Sequence, residues 1–180
     1  MFANFDPLHV GAPPGGIVVL ALITLVLGGV ASGKSAYAES LVPAGEAVVT
    51  YCATLDPSSE GVAARISLHR RRRPAHWSTA ECGIDLPRVL EASSGLALVD
   101  SLGAWVARFP DCAAEEGPLL EALSRRADQV ILVSEEVGMS PLPATEIGVA
   151  FQDAMGRVNQ AVAAVADHVF LVVAGRVLQL

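Results

Sequence analysis

The sequence predicts an α/β protein with three layers, in which a mainly parallel sheet lies between helices and an antiparallel strand forms the C-terminal edge. Three observations support this fold class. The chain of 180 residues is 52% hydrophobic and only 17% charged, as expected for strands that are covered on both faces. Short apolar runs alternate with helical segments, which is typical of right-handed βαβ units. A Gly-rich turn joins the first apolar run to the first helix.

The first strand is expected over residues 17–27, "IVVLALITLVL". This run looks like the apolar part of a secretion signal, but no Lys or Arg precedes Lys34, so the positively charged region of such a signal is missing and a buried strand is expected instead. It is also too short to span a bilayer. Residues 1–16, which contain "GAPPGG", are predicted to be a flexible leader. Residues 17–180 are therefore expected to form a single domain.

The other elements are predicted from apolar periodicity. Helices are expected at Lys34–Leu41, Ser58–Arg72 and Leu119–Ala127, with a long amphipathic helix from Ile147 to Val165. Strands are expected at Val48–Ala53, Gly95–Asp100 and Gln129–Ser134, followed by two more at 168–175 and 177–180.

Composition excludes several classes of protein. A net charge of −7 argues against general nucleic-acid binding, which requires a broad basic surface. Cys52, Cys82 and Cys112 are odd in number and lack C-x-x-C spacing, so we expect neither a disulfide framework nor a zinc site. Buried, reduced thiols and a cytoplasmic protein without a membrane span are predicted instead.

The turn "GGVASGKS" matches the phosphate-binding pattern G-x-x-x-x-G-K-[ST] at every specified position. It lies between an apolar strand and a helix, as the pattern requires, and it predicts a P-loop NTPase-type fold. The backbone N–H groups of the turn and the helix N-terminus are expected to surround an anion. Lys34 would contact the β- and γ-phosphates, and the Ser35 hydroxyl would bind Mg²⁺. The predicted nucleotide-binding residues of the turn are Gly28, Gly29, Val30, Ala31, Ser32, Gly33, Lys34 and Ser35.

Asp100 ends the buried run "LALVD". In a P-loop protein this is where a carboxylate holds Mg²⁺, directly or through water, so Asp100 is the second expected metal ligand. The chain is thus expected to bind GTP or ATP with Mg²⁺. The turn alone does not distinguish a kinase, an ATPase, a GTPase and an inert binding module. The absence of an N-K-x-D motif argues against a conventional GTPase.

The stretch "LHRRRRPAHW" places four of the twelve basic residues directly after His69. Taken alone, it fits a solvated basic helix end beside a surface histidine. It also fits an anion site, because guanidinium donors stabilise charge on phosphoryl oxygens.

Further motifs resemble one family. "YCAT", "AARISLHRRRRPAHW", "VSEEVGM" and "GRVNQAVAAVADHVFLVVAG" follow the P-loop in that order. Together they are similar to the bifunctional adenosylcobinamide kinase / adenosylcobinamide-phosphate guanylyltransferase family of cobalamin biosynthesis. The resemblance extends from about Ile23 to Leu180. The patterns R-I-x-x-H-R and G-R-x-N-Q are much more specific than the P-loop.

The resemblance implies two reactions. Such enzymes phosphorylate the hydroxyl of the aminopropanol arm of adenosylcobinamide with GTP or ATP. They then transfer GMP from GTP to that phosphate through a covalent histidine–GMP intermediate, and the histidine corresponds to His69. It implies that the phosphates are contacted by Arg70, Arg71, Arg72 and Arg73, and that Thr54 and Glu81 lie near the nucleotide. A homo-oligomer, specifically a trimer, is also implied.

The sequence departs from the family pattern while keeping the P-loop and the nucleophile motif. Ala31 stands where Arg is common, Gly61 replaces a carboxylate, Gly103 replaces Thr, Arg108 replaces Asn, and Glu135 replaces Asn. These positions fall mainly in regions that could shape the corrinoid side or the kinase step. Two alternatives therefore stay open: a nucleotide-binding module that has lost the kinase step, and a P-loop kinase for another small alcohol.

Overall fold

The structure is a computed structural model that describes residues 22–45, 48–56 and 73–180. The strands within these residues are β1 (Ile23–Gly28), β2 (Val49–Ala53), β3 (Ser78–Glu81), β4 (Leu96–Asp100), β5 (Val130–Glu135), β6 (His168–Val173) and β7 (Arg176–Gln179). The α-helices are α1 (Lys34–Ser40), α2 (Leu86–Ala92), α3 (Leu102–Val106), α4 (Glu116–Arg125) and α5 (Glu146–Ala163), and a 3₁₀ turn covers Pro110–Cys112.

These strands form one sheet in the order β3-β2-β4-β5-β1-β6-β7. Neighbouring strands are parallel, with the exception of β7, which pairs antiparallel with β6. The predicted sheet is therefore confirmed, including its antiparallel C-terminal edge. A two-residue connection allows β7 to fold back beside β6, whereas each parallel pair needs a longer crossover.

Alternate residues of the central strands supply two cores, one on each face of the sheet. Leu25 and Leu27 of β1 belong to a core that includes residues of α2, α3, α4 and α5. Val26 points to the opposite core, which includes Ala38 of α1. Because side chains alternate along a strand, a continuous apolar run can fill both cores. This arrangement confirms the predicted three layers.

Most element boundaries agree with the predicted ones to within a few residues. The sequence patterns did not indicate β3, α2 or α3. Each is short, and β3 has mostly exposed side chains, so its apolar pattern is weak. The leader at 1–16, the first residues of the expected first strand and the helix expected at 58–72 lie outside the described residues.

The parallel register aligns the carboxyl ends of several strands at one edge of the sheet. Gly28 is level with Glu135, and Asp100 is level with both Val133 and Ala53. The P-loop follows β1 at this edge, so residues that end β4 and β5 lie beside it. Ligands of open α/β sheets bind at this edge.

The state of the cysteines agrees with an expectation from composition. Cys52, Cys82 and Cys112 are buried free thiols. Within the described ranges, no helix is both long enough and apolar enough to cross a membrane.

Candidate active site

The P-loop turn depends on two glycines. Gly33, directly before α1, has φ of 97°, a left-handed conformation that L side chains rarely adopt. A Cβ on Gly28 would lie 2.5 Å from Ser32 Oγ and 2.7 Å from the Val172 carbonyl oxygen. Ser32 Oγ in turn accepts the Lys34 backbone N–H at 3.3 Å. The turn therefore packs tightly against β6, and larger residues at these glycines would displace it.

The Lys34 side chain is held over this turn. It is only 5% exposed, and its Nζ donates to the Gly29 carbonyl oxygen at 3.3 Å. Nζ also lies 3.5 Å from Glu135 Oε1. A buried ammonium needs such partners to offset its lost hydration. The geometry places its charge where the Gly-rich turn and the end of β5 meet.

Ser35 and Asp100 are brought together as the two motifs predict. The Ser35 hydroxyl donates to Asp100 Oδ1 at 3.2 Å. The other carboxylate oxygen, Oδ2, accepts the Tyr51 hydroxyl at 2.7 Å. Tyr51 comes from β2 and Ser35 from α1, so two different elements orient the carboxylate. Paired hydroxyl and carboxylate oxygens suit a hard cation such as Mg²⁺.

Tyr51 is a buried donor to this carboxylate. Burial is the main cause that raises the pKa of its phenol, and the negative charge of Asp100 raises it further. The Arg73 guanidinium acts in the opposite direction. The net effect is an upward shift from the usual value of about 10, so the hydroxyl remains a hydrogen-bond donor at neutral pH.

Arg73 connects the basic stretch to this network. Its guanidinium carbon lies 3.2 Å from the centroid of the Tyr51 ring, a cation–π contact. Arg73 also lines a cleft of about 360 Å³ with Trp77, Thr79 and Glu81. Tyr51 therefore connects Asp100, which its hydroxyl contacts, with Arg73, which its ring contacts.

Thr54 lies within the protein and fixes the backbone that follows Asp100. Its hydroxyl donates to the Ser101 carbonyl oxygen and accepts the Ser101 N–H, both at 2.7 Å. With an exposure of 0%, Thr54 orients this segment and does not face a cleft. That Thr54 lies near the nucleotide stays a prediction; the structure shows that its hydroxyl supports Ser101, the residue after Asp100.

Glu135 contributes a second carboxylate beside Lys34. Its Oε1 accepts the Ser101 hydroxyl at 2.9 Å, and its Oε2 accepts the Gly103 N–H at 3.0 Å. Asn159 on α5 donates to the Glu135 carbonyl oxygen at 3.0 Å. The side chain is therefore held from three sides, by α3, by the segment before it and by the P-loop lysine.

These groups share one cleft. It has a volume of about 210 Å³, and its lining is formed by Lys34, Ser35, Leu55, Asp100, Ser101, Gly103, Ala104, Glu135 and Phe151. The predicted residue Glu81 ends β3, two strands away from Asp100 in the sheet, and belongs to the cleft with Arg73. His69, Arg70, Arg71, Arg72 and Gly61 lie outside the described residues.

Sequence patterns missed Tyr51, Ser101 and the position of Glu135 in the cleft. A signal for Glu135 was available, because it follows the buried run "QVILVS" as Asp100 ends "LALVD". Two carboxylates at the ends of adjacent parallel strands must lie at the same edge. No comparable signal marks Tyr51, whose role depends on the pairing of β2 with β4.

A model of the family described as cobinamide kinase / cobinamide phosphate guanyltransferase matches residues 24–180. The chain belongs to this family. The adenosylcobinamide family expected from the motifs is thereby confirmed.

Two members of the family illustrate the similarity. The bifunctional adenosylcobalamin biosynthesis protein CobP of Pseudomonas aeruginosa is 38% identical over 160 residues, which cover 84% of this chain and 92% of the relative. The protein CobU of Salmonella typhimurium, which has the same description, is 37% identical over 177 residues, covering 86% of this chain and 97% of the relative.

Among solved structures, the fold is similar to that of the flagellar accessory protein FlaH from Methanocaldococcus jannaschii. The TM-score is 0.50 at 14% identity, with 91% of this chain and 77% of that chain covered. At this identity the likeness concerns the fold alone.

The raised pKa of Tyr51 predicts a loss of stability in alkali. Because the folded pKa lies above the unfolded value of about 10, the phenol's contribution to folding is complete below pH ~10 and declines as pH rises further. The limiting slope is about 1.4 kcal/mol per pH unit. Urea unfolding between pH 8 and 11 should show a steeper decline for the wild type than for Tyr51→Phe.

Tyr37→Phe is the matched control. Burial also raises the pKa of Tyr37, but no carboxylate is among the causes. Removal of the Tyr37 hydroxyl should therefore reduce the loss of stability at alkaline pH less than removal of the Tyr51 hydroxyl does. Parallel curves for the wild type and Tyr51→Phe would contradict the description of Tyr51 as a buried neutral donor.

Proposed function

We propose that the chain catalyses two successive transfers to adenosylcobinamide. In the first, GTP or ATP phosphorylates the hydroxyl of the aminopropanol arm. In the second, GMP passes from GTP to the new phosphate through a His69–GMP intermediate, and adenosylcobinamide-GDP is formed. Membership of the family supports the pair of reactions, since both relatives carry the description bifunctional.

One observation carries the nucleotide half of the proposal. Lys34 and Ser35 of the P-loop line the same cleft as Asp100, which lies 65 residues after Ser35 in the sequence. A lysine at a Gly-rich turn binds phosphate oxygens, and the hydroxyl–carboxylate pair suits the cation that accompanies them. We assign the phosphates of the nucleotide to this cleft and to residues 28–35.

Magnesium is the expected cofactor, with Ser35 and Asp100 as its protein ligands. The oxygens of this pair lie 3.2 Å apart, and both belong to the hard donor class that Mg²⁺ prefers. In the described part of the chain, no group of three or more His, Cys, Asp or Glu side chains could hold a metal. That fits an ion whose remaining ligands are phosphates and water. When bound, Mg²⁺ neutralises charge on the phosphates.

The second transfer requires a nucleophile, for which we propose His69. A neutral imidazole nitrogen would attack the α-phosphorus and release pyrophosphate. The phosphate of the acceptor would then displace the imidazole and regenerate it. Arginines are suited to the charge that develops on the phosphoryl oxygens. We include Arg70, Arg71, Arg72 and Arg73 in this role, and we place Glu81 near the ribose or the base.

The position of Arg73 supports this assignment. Arg73 contacts the ring of Tyr51, whose hydroxyl binds Asp100. His69 precedes Arg73 by four residues, and four residues of extended chain span at most about 14 Å. The chain length between His69 and Arg73 therefore keeps His69 within about 14 Å of Arg73, which contacts the tyrosine that binds Asp100.

A module that binds nucleotide but has lost the kinase step is the second candidate. The specific observation in its favour is that Gly103 and Glu135, two departures from the family pattern, line the cleft beside Lys34. Measurement of phosphorylation of adenosylcobinamide separates the two. The homo-oligomer, specifically a trimer, and the cytoplasmic location remain predictions.

Asp100→Ala should raise the Mg²⁺ concentration needed for half-maximal activity in both reactions. Changes to groups that merely support a metal ligand cost about 10–100-fold in metal affinity, and loss of a ligand should cost at least the lower figure. The measurement is a Mg²⁺ titration of each activity, with Asp153→Ala on the exposed face of α5 as control. An unaltered titration would remove Asp100 from the metal site.

His69→Asn should abolish covalent labelling by GTP labelled at the α-phosphate, and with it guanylyl transfer. Phosphorylation of adenosylcobinamide should persist, because direct transfer of the γ-phosphate needs positioning and no enzyme nucleophile. The wild-type label should be acid-labile and base-stable, as expected of a bond between phosphorus and an imidazole nitrogen. His76→Asn, which alters an exposed histidine, is the matched control.

The outcomes distinguish the proposals. Base-stable label on His69→Asn would place the nucleophile elsewhere. Loss of both activities in a folded variant would make His69 part of a shared nucleotide site. A wild type that phosphorylates only another alcohol, without forming the adduct, would favour a P-loop kinase of different specificity.

A further inference from the structure

The carboxylate of Glu135 occupies the wall of the P-loop cleft in a position that a glycine makes available. A Cβ built on Gly103 would lie 2.2 Å from Glu135 Oε2 and 2.9 Å from its Cδ. The three nearest atoms to that Cβ all belong to the Glu135 side chain. Gly103 and Glu135 are therefore spatially matched, since the absence of a side chain at one admits the carboxylate of the other.

Three donors fix the orientation of the Glu135 carboxylate and leave one of its acceptor positions for a substrate hydroxyl. The Ser101 hydroxyl, the Gly103 N–H and the Lys34 ammonium take up three of the roughly four acceptor positions of a carboxylate. Asp100, whose two oxygens accept from Ser35 and Tyr51, is the proposed ligand of the cation. Of these two carboxylates in the cleft, Glu135 is the one not already assigned to the cation.

A second cleft adjoins the first on the side of α3. It has a volume of about 410 Å³ and is lined by Leu55, Asp56, Ala104, Ala107 and Arg108. Leu55 and Ala104 line both clefts, and Arg108 forms an ion pair with Asp56 at the rim. The shared wall of small and apolar side chains can accept a narrow arm that carries a hydroxyl. An arm entering there reaches the cleft in which Glu135 and Lys34 meet.

We propose that Glu135 is a catalytic residue that accepts the proton of the acceptor hydroxyl during phosphoryl transfer. The hydroxyl oxygen forms a bond to the γ-phosphorus, and the bond between that phosphorus and the β–γ bridging oxygen breaks. The proton passes to the Glu135 carboxylate, and the nucleoside diphosphate leaves. Lys34 Nζ lies 3.5 Å from Glu135 Oε1 and is assigned to the phosphates in the proposed function, so a base at this position would lie beside the attacking oxygen. This inference rests on the kinase half of the proposed function.

Glu135→Gln tests the proposal, since an amide keeps the size of the side chain and cannot accept the proton. With GTP and adenosylcobinamide as substrates, kcat for phosphorylation should fall by about 10²–10⁴-fold, the usual contribution of a positioned base. KM for GTP should not rise, because removing a negative charge beside Lys34 does not weaken phosphate binding. The covalent GMP adduct should still form, because the guanylyl step does not require this proton transfer. Glu121→Gln, on the exposed surface of α4, should retain the wild-type kcat.

Two further variants separate chemistry from folding. In Glu135→Ala, added formate should restore kcat in proportion to its concentration, because a small carboxylate can occupy the vacated space. Gly103→Ala should displace the carboxylate and lower kcat, and it should cause no additional loss when combined with Glu135→Gln.

Three outcomes would overturn the inference. The first is an undiminished kcat in Glu135→Gln. The second is a parallel loss of GTP affinity and adduct formation, which would mean that Glu135 only supports Lys34. The third is a failure of formate to rescue Glu135→Ala that still folds and binds GTP. A wild type that forms the GMP adduct but does not phosphorylate adenosylcobinamide would instead refute the kinase half of the proposed function.

Discussion

The parallel register of β1, β4 and β5 is the constraint on which the candidate site depends. It sets Gly28 level with Glu135 and Asp100 level with Val133, so the residues that end these strands meet at one edge. The P-loop contributes Lys34 and Ser35 at that edge, and β2 contributes Tyr51 from one strand further along. A shift of one residue in any of these pairings would turn the ends of the strands to the opposite face.

The charges in the cleft indicate that a triphosphate needs more positive charge than the P-loop lysine supplies. Among the described residues that line it, Lys34 supplies the positive charge, while Asp100 and Glu135 supply two carboxylates. A triphosphate would therefore meet a site that is negative overall unless further cations accompany it. In the proposed function, Mg²⁺ and the arginines after His69 would supply that positive charge. The contact of Arg73 with Tyr51 ties this basic stretch to the carboxylate that would hold the metal.

The sequence was sufficient to predict the sheet, its antiparallel edge and the meeting of Ser35 with Asp100. These features depend on long apolar runs and on a motif whose backbone geometry is local. β3 and α3 were not predicted, because they are short and are stabilised by contacts with distant parts of the chain. Tyr51 and Glu135 were missed as site residues for the same reason. The role of Tyr51 arises from strand pairing and is not visible in a linear pattern. The place of Glu135 after a buried run was visible, but the space that Gly103 leaves for its carboxylate was not.

In the proposed function, one phosphate site serves both transfers. The most direct test of this proposal is to measure, in a single preparation of Lys34→Ala, the residual rates of adenosylcobinamide phosphorylation and guanylyl transfer relative to the wild type. Both rates should fall together and GTP binding should weaken, since a charge-assisted contact contributes about 1.5–3 kcal/mol. A variant that loses one activity and keeps the other at the wild-type rate would contradict the proposal, because the two reactions would then require separate phosphate sites.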